Sequence, residues 1–185
     1  PAATGEQIAK VIELENRRNI PFDVASNPEF LREGTAIHDF FHPDRVVLGV
    51  NSAAAQKRLR ELFGSIDAPI VVTDIKSAEL IKHASNSFLA TKIAYANALA
   101  RLCDLIGADV TQVVKGVGMD KRIGREFLNP GLVGGFCLPK DLEAFYYIAK
   151  QNGYDFKLLQ AVKEINETQK DHVINKLEEE LWNLE

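Results

Sequence analysis

Cysteine is scarce in this sequence. Cys103 and Cys137 are the only two among 185 residues, too few for a disulfide framework and matching no zinc-ligand spacing. A reducing, cytoplasmic setting is therefore expected. No apolar run approaches the roughly 20 residues that span a bilayer. The first residues show no charged, then apolar, then small-residue leader, so secretion is not expected. Basic charge is scattered, with 22 Lys and Arg against 26 Asp and Glu. That argues against a surface that tracks nucleic-acid phosphates. Histidines are few, and His38, His42, His83 and His172 lack metal-ligand spacing. They read as structural, and no metal site is expected.

What is present is an ordinary globular composition, 46% hydrophobic and 26% charged. The length suits one sizeable core, or a compact domain with an appendage. The sequence begins at Pro1 and opens directly onto a helix pattern, which reads as a chain cut from something longer. Thr4 and Gln7 are spaced like a capping box ahead of Ile8, Val11, Ile12 and Leu14. Phe22–Ser26, Arg45–Gly49 and Pro69–Thr73 read as three short strands, with a helix over Ser52–Gly64. Continuous apolar strands alternating with helices predict a parallel sheet covered on both faces. From Ser77 onward the pattern is all helix. Ser77–Ile106 has neither Pro nor Gly, and its apolar residues cover more than one stripe, so burial on several sides is expected. A helix over Val110–Lys115 follows Asp109 as its cap. Another starts at Pro139, and a last one runs from Lys157 to Trp182. The expected domains are 1–76, the end of an α/β domain, and 77–185, a helical domain.

Three groups of residues could carry chemistry. In Gly134-Gly135-Phe136-Cys137-Leu138-Pro139-Lys140-Asp141, Pro139 suits a helix's first turn. Cys137 then lies just ahead of a helix N-terminus, whose partial positive charge favours thiolate over thiol, with Lys140 adding charge nearby. The competing reading is a small core cysteine beside a turn. Lys82 and Asn86 are four apart and share one face of the long helix. Within so apolar a helix they need a substrate, a water or a carboxylate for company, unless the face is simply exposed. Asn27-Pro28-Glu29-Phe30-Leu31-Arg32-Glu33-Gly34 follows a strand's C-terminal end, the edge where open α/β sheets bind ligands. Glu29 and Glu33 fit a base and a cofactor contact there, or surface carboxylates at a helix start. Cys103, on the apolar helix, reads as a core residue.

Together these segments resemble the UDP-glucose/GDP-mannose dehydrogenase family. The resemblance rests on Ser26 through Ile37, on His42-Pro43-Asp44-Arg45-Val46, on Glu79 through Ala90, on Gly118-Met119-Asp120-Lys121-Arg122-Ile123-Gly124, and on the cysteine motif. It covers nearly the whole chain in order. It implies the C-terminal strands of a Rossmann-like parallel sheet followed by a helical, dimer-forming domain with a long central helix. It also implies NAD as cofactor and four-electron oxidation of a nucleotide sugar, through a thiohemiacetal and a thioester on Cys137. In that reading Lys82 and Asn86 hold the C6 oxygen, Asp141 orders a water and relays protons, and Glu29 assists thioester hydrolysis. Phe30, Leu31, Phe127, Asn129, Gly134 and Gly135 match substrate-loop positions. Arg122 matches an arginine reaching the neighbouring subunit's substrate, and Glu33 and Lys140 match cofactor contacts. UDP-glucose leads among substrates because the Gly-Met-Asp-x-Arg-Ile-Gly and Asn-Pro-Glu-Phe-Leu-x-Glu-Gly stretches resemble that branch most. UDP-N-acetylmannosamine and GDP-mannose remain alternatives.

Two departures from the family pattern are expected to matter. One is at the ends, where the family's Gly-x-Gly turn after a first strand and the C-terminal domain expected after Trp182 are not among these residues. The other is the loop between Pro130 and Cys137, one residue shorter than usual, which unsettles Gly131–Val133 as substrate contacts. The expected result is a fragment inactive alone. Two other readings compete: a non-enzymatic module dimerising through the long helix, and a thiol redox protein. The last lacks a resolving cysteine near Cys137.

Overall fold

The computed structural model describes residues 4–132 and 136–182. The chain divides into two compact units, Pro1–Ala84 and Ser85–Glu185.

In the first unit, α1 (Thr4–Glu15) precedes a three-stranded sheet of β1 (Ala25–Ser26), β2 (Val46–Val50) and β3 (Ile70–Thr73), with α2 (Ala36–Phe41) and α3 (Ala53–Leu62) between the strands. The order is β1-β2-β3. The run Val46 to Gly49 is buried throughout, as a strand covered on both faces requires. β2 and β3 are parallel, with Val46 opposite Ile70 and Gly49 opposite Thr73. β1, by contrast, is antiparallel to β2, pairing Ala25 with Val50 and Ser26 with Gly49. The sheet is therefore mixed and not wholly parallel. A parallel crossover needs a helix laid on the sheet, whereas the six-residue α2 leaves Ile37 80% exposed and Phe41 60% exposed. The antiparallel register has a second consequence. The loop after β1 runs toward the amino ends of β2 and β3, not along the carboxyl edge expected for it. Asn27 ties it there, donating from Nδ2 to the Val47 carbonyl at 2.8 Å.

α4 (Ile75–Ile106) starts two residues earlier than expected. Asp74 explains this, since its carboxylate accepts the Ser77 N–H at 2.9 Å and the Ser77 hydroxyl at 2.6 Å, occupying a helix-capping position. Those bonds hold the Asp74 carboxyl below its ordinary value. The first turns of α4 seat directly on β2. A Cβ on Gly49 would stand 2.5 Å from the Ala78 Cβ and 3.0 Å from the Ile75 Cα, so glycine is required.

The second unit begins with the rest of α4 and adds α5 (Val110–Gly118), α6 (Cys137–Gln151) and α7 (Lys157–Trp182). Asp109 caps α5, accepting the Thr111 N–H at 2.8 Å. Its core joins Ala90 and Ala94 of α4 to Leu142 of α6 and to Leu159 and Val162 of α7. Burying each leucine contributes roughly 1.5–3 kcal/mol. The α6–α7 turn is closed by Gly153, whose φ of +76° places it in the left-handed region, and by the Tyr154 N–H bonding back to Ala149. Arg101 of α4 is fixed on α7 by Nε and Nη2 bonds to Gln169 Oε1. The side of α4 that packs is lined by small residues. Phe88 (65% exposed), Tyr95 (56%) and Leu102 (51%) stand outside it, so burial on several sides is not what the chain by itself achieves. Cys103 is buried, as expected. Among the described residues no helix is long and apolar enough to cross a membrane.

Candidate active site

The candidate residues are built into each unit separately. In the first, Lys82 on α4 pairs with Glu29, Nζ to Oε1, at 2.9 Å. The other Glu29 oxygen accepts the Leu31 N–H at 2.7 Å, which shapes the loop behind Phe30. The Phe30 ring carries the Arg45 guanidinium 3.7 Å from its centroid and the Lys82 ammonium at 5.6 Å. Both distances are within cation–π range. Lys82 has thus found carboxylate company and is only 20% exposed. Leu31 and Glu33 lie exposed further along the loop.

That loop is clamped by Asp39, a buried carboxylate at the core of α2. Arg32 donates to it from its backbone N–H at 3.0 Å, from Nε at 2.9 Å and from Nη2 at 2.6 Å. The Thr35 hydroxyl adds a fourth bond at 3.0 Å. These bonds, Arg32's first, hold the Asp39 carboxyl far below the usual carboxylate range. A depressed folded value stabilises the fold wherever the unfolded carboxyl is also ionised, above pH about 4. The contribution is lost as pH falls from there toward the folded value. Thermal unfolding of the native chain should therefore be insensitive to this cluster between pH 7 and 5 and weaken below pH about 4. An Asp39→Asn chain should show a shallower acid limb. Among the described residues, Arg32 and His38, whose Nδ1 lies 3.7 Å from Asp39, form ion pairs with it.

In the second unit, Cys137 is exposed and is the first residue of α6. The expected helix start was Pro139. The helix begins two residues sooner because the first-turn N–H groups have no intrahelical partners, so proline's missing N–H costs nothing there. Asp141 follows at the i+4 position of α6 and so shares a face with Cys137. Its Oδ2 accepts the Asn86 amide at 2.6 Å, both side chains being buried. Its Oδ1 lies 3.1 Å from Lys140 Nζ. Asn86, like Lys82, has a carboxylate partner.

The segment after α5 carries the remaining candidates. Arg122 is 89% exposed on its side chain and forks onto Asp120, with Nη2 to Oδ2 at 2.6 Å. That bond pushes Arg122 up and Asp120 down from their ordinary values. Phe127 holds a left-handed backbone with φ of +63°. For a non-glycine residue this costs on the order of 1–2 kcal/mol, and such strain gathers at functional sites. Asn129 is exposed beside it. Gly134 and Gly135 lie outside the described residues. Among the described residues no cluster of His, Cys, Asp and Glu has the makings of a metal site.

Sequence reasoning gave no site role to three residues that shape these groups: Arg45, Asp39 and Asn97. The first two had no local signal, because their partners Phe30 and Arg32 meet them only through the loop's return. Asn97 did have one: it interrupts an apolar helical face eleven residues after Asn86.

Known proteins share the family features and the fold of this chain. Residues 76–168 match the UDP-glucose/GDP-mannose dehydrogenase family, central domain, and residues 1–67 match its NAD binding domain. The UDP-glucose 6-dehydrogenase TuaD of Bacillus subtilis is 48% identical over 178 residues, covering 96% of this chain and 39% of the relative. A UDP-glucose 6-dehydrogenase of Rickettsia bellii is 47% identical over 90% of the chain and 39% of its own length. A solved UDP-glucose dehydrogenase from Pyrobaculum islandicum superposes with a TM-score of 0.93 at 42% identity, over 98% of this chain and 42% of that one. A UDP-D-ManNAc dehydrogenase from Pyrococcus horikoshii gives 0.87 at 28% identity, over 100% of this chain and 44% of that one. The chain thus spans about two fifths of the length of these relatives, 39% for the first. With residues 76–168 matched by the central domain and residues 1–67 by the NAD binding domain, the chain belongs to the UDP-glucose/GDP-mannose dehydrogenase family.

Proposed function

We propose that this chain supplies the nucleophile-bearing part of an NAD-dependent nucleotide-sugar 6-dehydrogenase that converts UDP-glucose to UDP-glucuronate. The observation that carries the reading is the buried Asn86–Asp141 hydrogen bond, one helical turn from the exposed Cys137. In this reading residues 1–76 belong to the cofactor-binding domain and 77–185 to the central domain. The names of relatives up to 48% identical favour UDP-glucose over other nucleotide sugars.

Glu33 and Lys140 are the residues that would contact NAD. An exposed carboxylate and an exposed ammonium suit ribose hydroxyls and phosphate oxygens. Among the described residues no Gly-x-Gly turn follows a strand, so in this reading the chain holds only part of a dinucleotide site. Bound NAD supplies the hydride acceptor for both oxidations. Lys82 and Asn86 donate hydrogen bonds to the C6 oxygen as it loses its proton and gains negative character. Cys137 Sγ bonds to C6 of the aldehyde, and the adduct is oxidised to a thioester. Asp141 and Glu29 orient a water and take its proton as its oxygen attacks C6. The C–S bond then breaks, returning the thiolate and releasing the carboxylate. One alcohol, one water and two oxidised cofactors thus give one carboxylate, two reduced cofactors and three protons. Phe30, Leu31, Phe127, Asn129, Gly134 and Gly135 would line the sugar nucleotide.

The partial cofactor site sets the expected behaviour of the isolated chain. Purified and mixed with UDP-glucose and NAD, it should give no rise in NADH absorbance above the uncatalysed drift. Sustained turnover would show that the glycine turn is dispensable. A homodimer through α4 belongs to the same reading. Phe88, Tyr95 and Leu102 recur at seven-residue spacing, and all three are more than half exposed. Arg122, also exposed, would then reach the neighbouring protomer's substrate. Sedimentation velocity at micromolar concentration should return a dimer, and a monomer would remove this part.

A further inference from the structure

We infer that Asn97 is a positioning residue for Cys137, fixing the chain upstream of the nucleophile as Asn86 fixes it downstream. The inference rests on the reading of Cys137 as the nucleophile.

Asn97 is 0% exposed, in the middle of α4. Its Oδ1 accepts the Gly131 backbone N–H at 2.8 Å, across 34 residues of sequence. Its Nδ2 is buried with no hydrogen-bond partner among the described residues. An apolar residue of similar volume would bury no such donor there. What the asparagine provides, and an apolar residue cannot, is the acceptor for Gly131.

The geometry of α4 gives this bond its meaning. Eleven residues separate Asn86 from Asn97, which returns the helix to within about 20° of the same face, about 16 Å further along the axis. Between them on that face stand Ala90 and Ala94, each 1% exposed and packed in the cluster that holds Leu142. One face of α4 therefore reads asparagine, alanine, alanine, asparagine. Its two amides grip opposite sides of the cysteine, Gly131 before it and Asp141 after it. The alanines between let α6 approach closely. Asn97 thus ties the chain at Gly131, and Asn86 ties it at Asp141.

The test is carried out on the purified chain. In the native chain the Gly131 amide should exchange with solvent slowly compared with other loop amides in NMR hydrogen exchange, and an unprotected amide would overturn the inference. Asn97→Leu keeps volume and removes the acceptor. Its Gly131 amide should exchange at least about tenfold faster. Iodoacetamide should alkylate Cys137 at a rate changed at least about threefold, with an altered pH profile, the buried Cys103 serving as reference. Asn97→Asp retains an acceptor at the same place and should keep Gly131 protected. A folded Asn97→Leu chain with unchanged exchange and unchanged alkylation would contradict the inference, whatever happens to its melting temperature. If Asn97→Leu does not fold, the native-chain exchange and Asn97→Asp decide. Failure of a completed enzyme to oxidise nucleotide sugars would sink the nucleophile reading and leave the Asn97 anchor standing.

Discussion

Cys137→Ala, placed in a chain completed with the flanking segments of the 48%-identical Bacillus subtilis relative, should lower steady-state NADH formation from UDP-glucose by about three orders of magnitude or more. The size follows from the covalent step. Without Sγ there is no thiohemiacetal, and the second oxidation loses the bond that holds the aldehyde carbon in place. A Cys103→Ala change should leave turnover within a few-fold, because Cys103 is buried while Cys137 is exposed. Equal losses from both changes would point to general damage. A Cys137→Ala enzyme with near-native turnover would remove covalent catalysis from the account.

The second large effect is expected from Asn86→Leu. The change preserves volume but withdraws the donor 2.6 Å from Asp141 Oδ2 inside a buried pair. Losing a hydrogen bond to a buried carboxylate costs about 1–3 kcal/mol, visible as a lower urea midpoint with an unchanged slope. Lys140, at 3.1 Å, remains as the partner of the other oxygen and limits the damage. In the completed enzyme, kcat should fall about 10²–10³-fold if Asn86 also donates to the C6 oxygen. KM for the nucleotide sugar should change much less. A loss of stability with kcat intact would leave Asn86 as a support for Asp141 and nothing more.

Much of this was legible in the residues. The face shared by Lys82 and Asn86 follows from helical spacing alone. The need of both for polar company follows from the apolar helix around them. The last helix, Lys157–Trp182, has the extent its pattern predicts. Strand direction was not legible, because an apolar run such as Arg45–Gly49 looks the same whichever way its neighbour runs. The register of β1 is decided by an α2 too short and too exposed to serve as a crossover. The start of α6 was misplaced because proline is tolerated anywhere in a first turn, so Pro139 marks a helix beginning only to within a few residues. The pairing of Glu29 with Lys82 spans 53 residues, and no local pattern reports such a contact. Asn97 shows the intermediate case. Its odd place in an apolar face was readable, but its partner Gly131 was not.

The central claim is that Cys137 forms a bond to the substrate's C6 carbon. It is tested most directly by acid-quenching the completed enzyme during turnover with UDP-glucose and NAD, then mapping its peptides by mass spectrometry. The account predicts an adduct of the mass of the uronyl group on the peptide containing Cys137, released by neutral hydroxylamine as thioesters are. Full turnover with Cys137 unmodified, or the adduct on another residue, would contradict it.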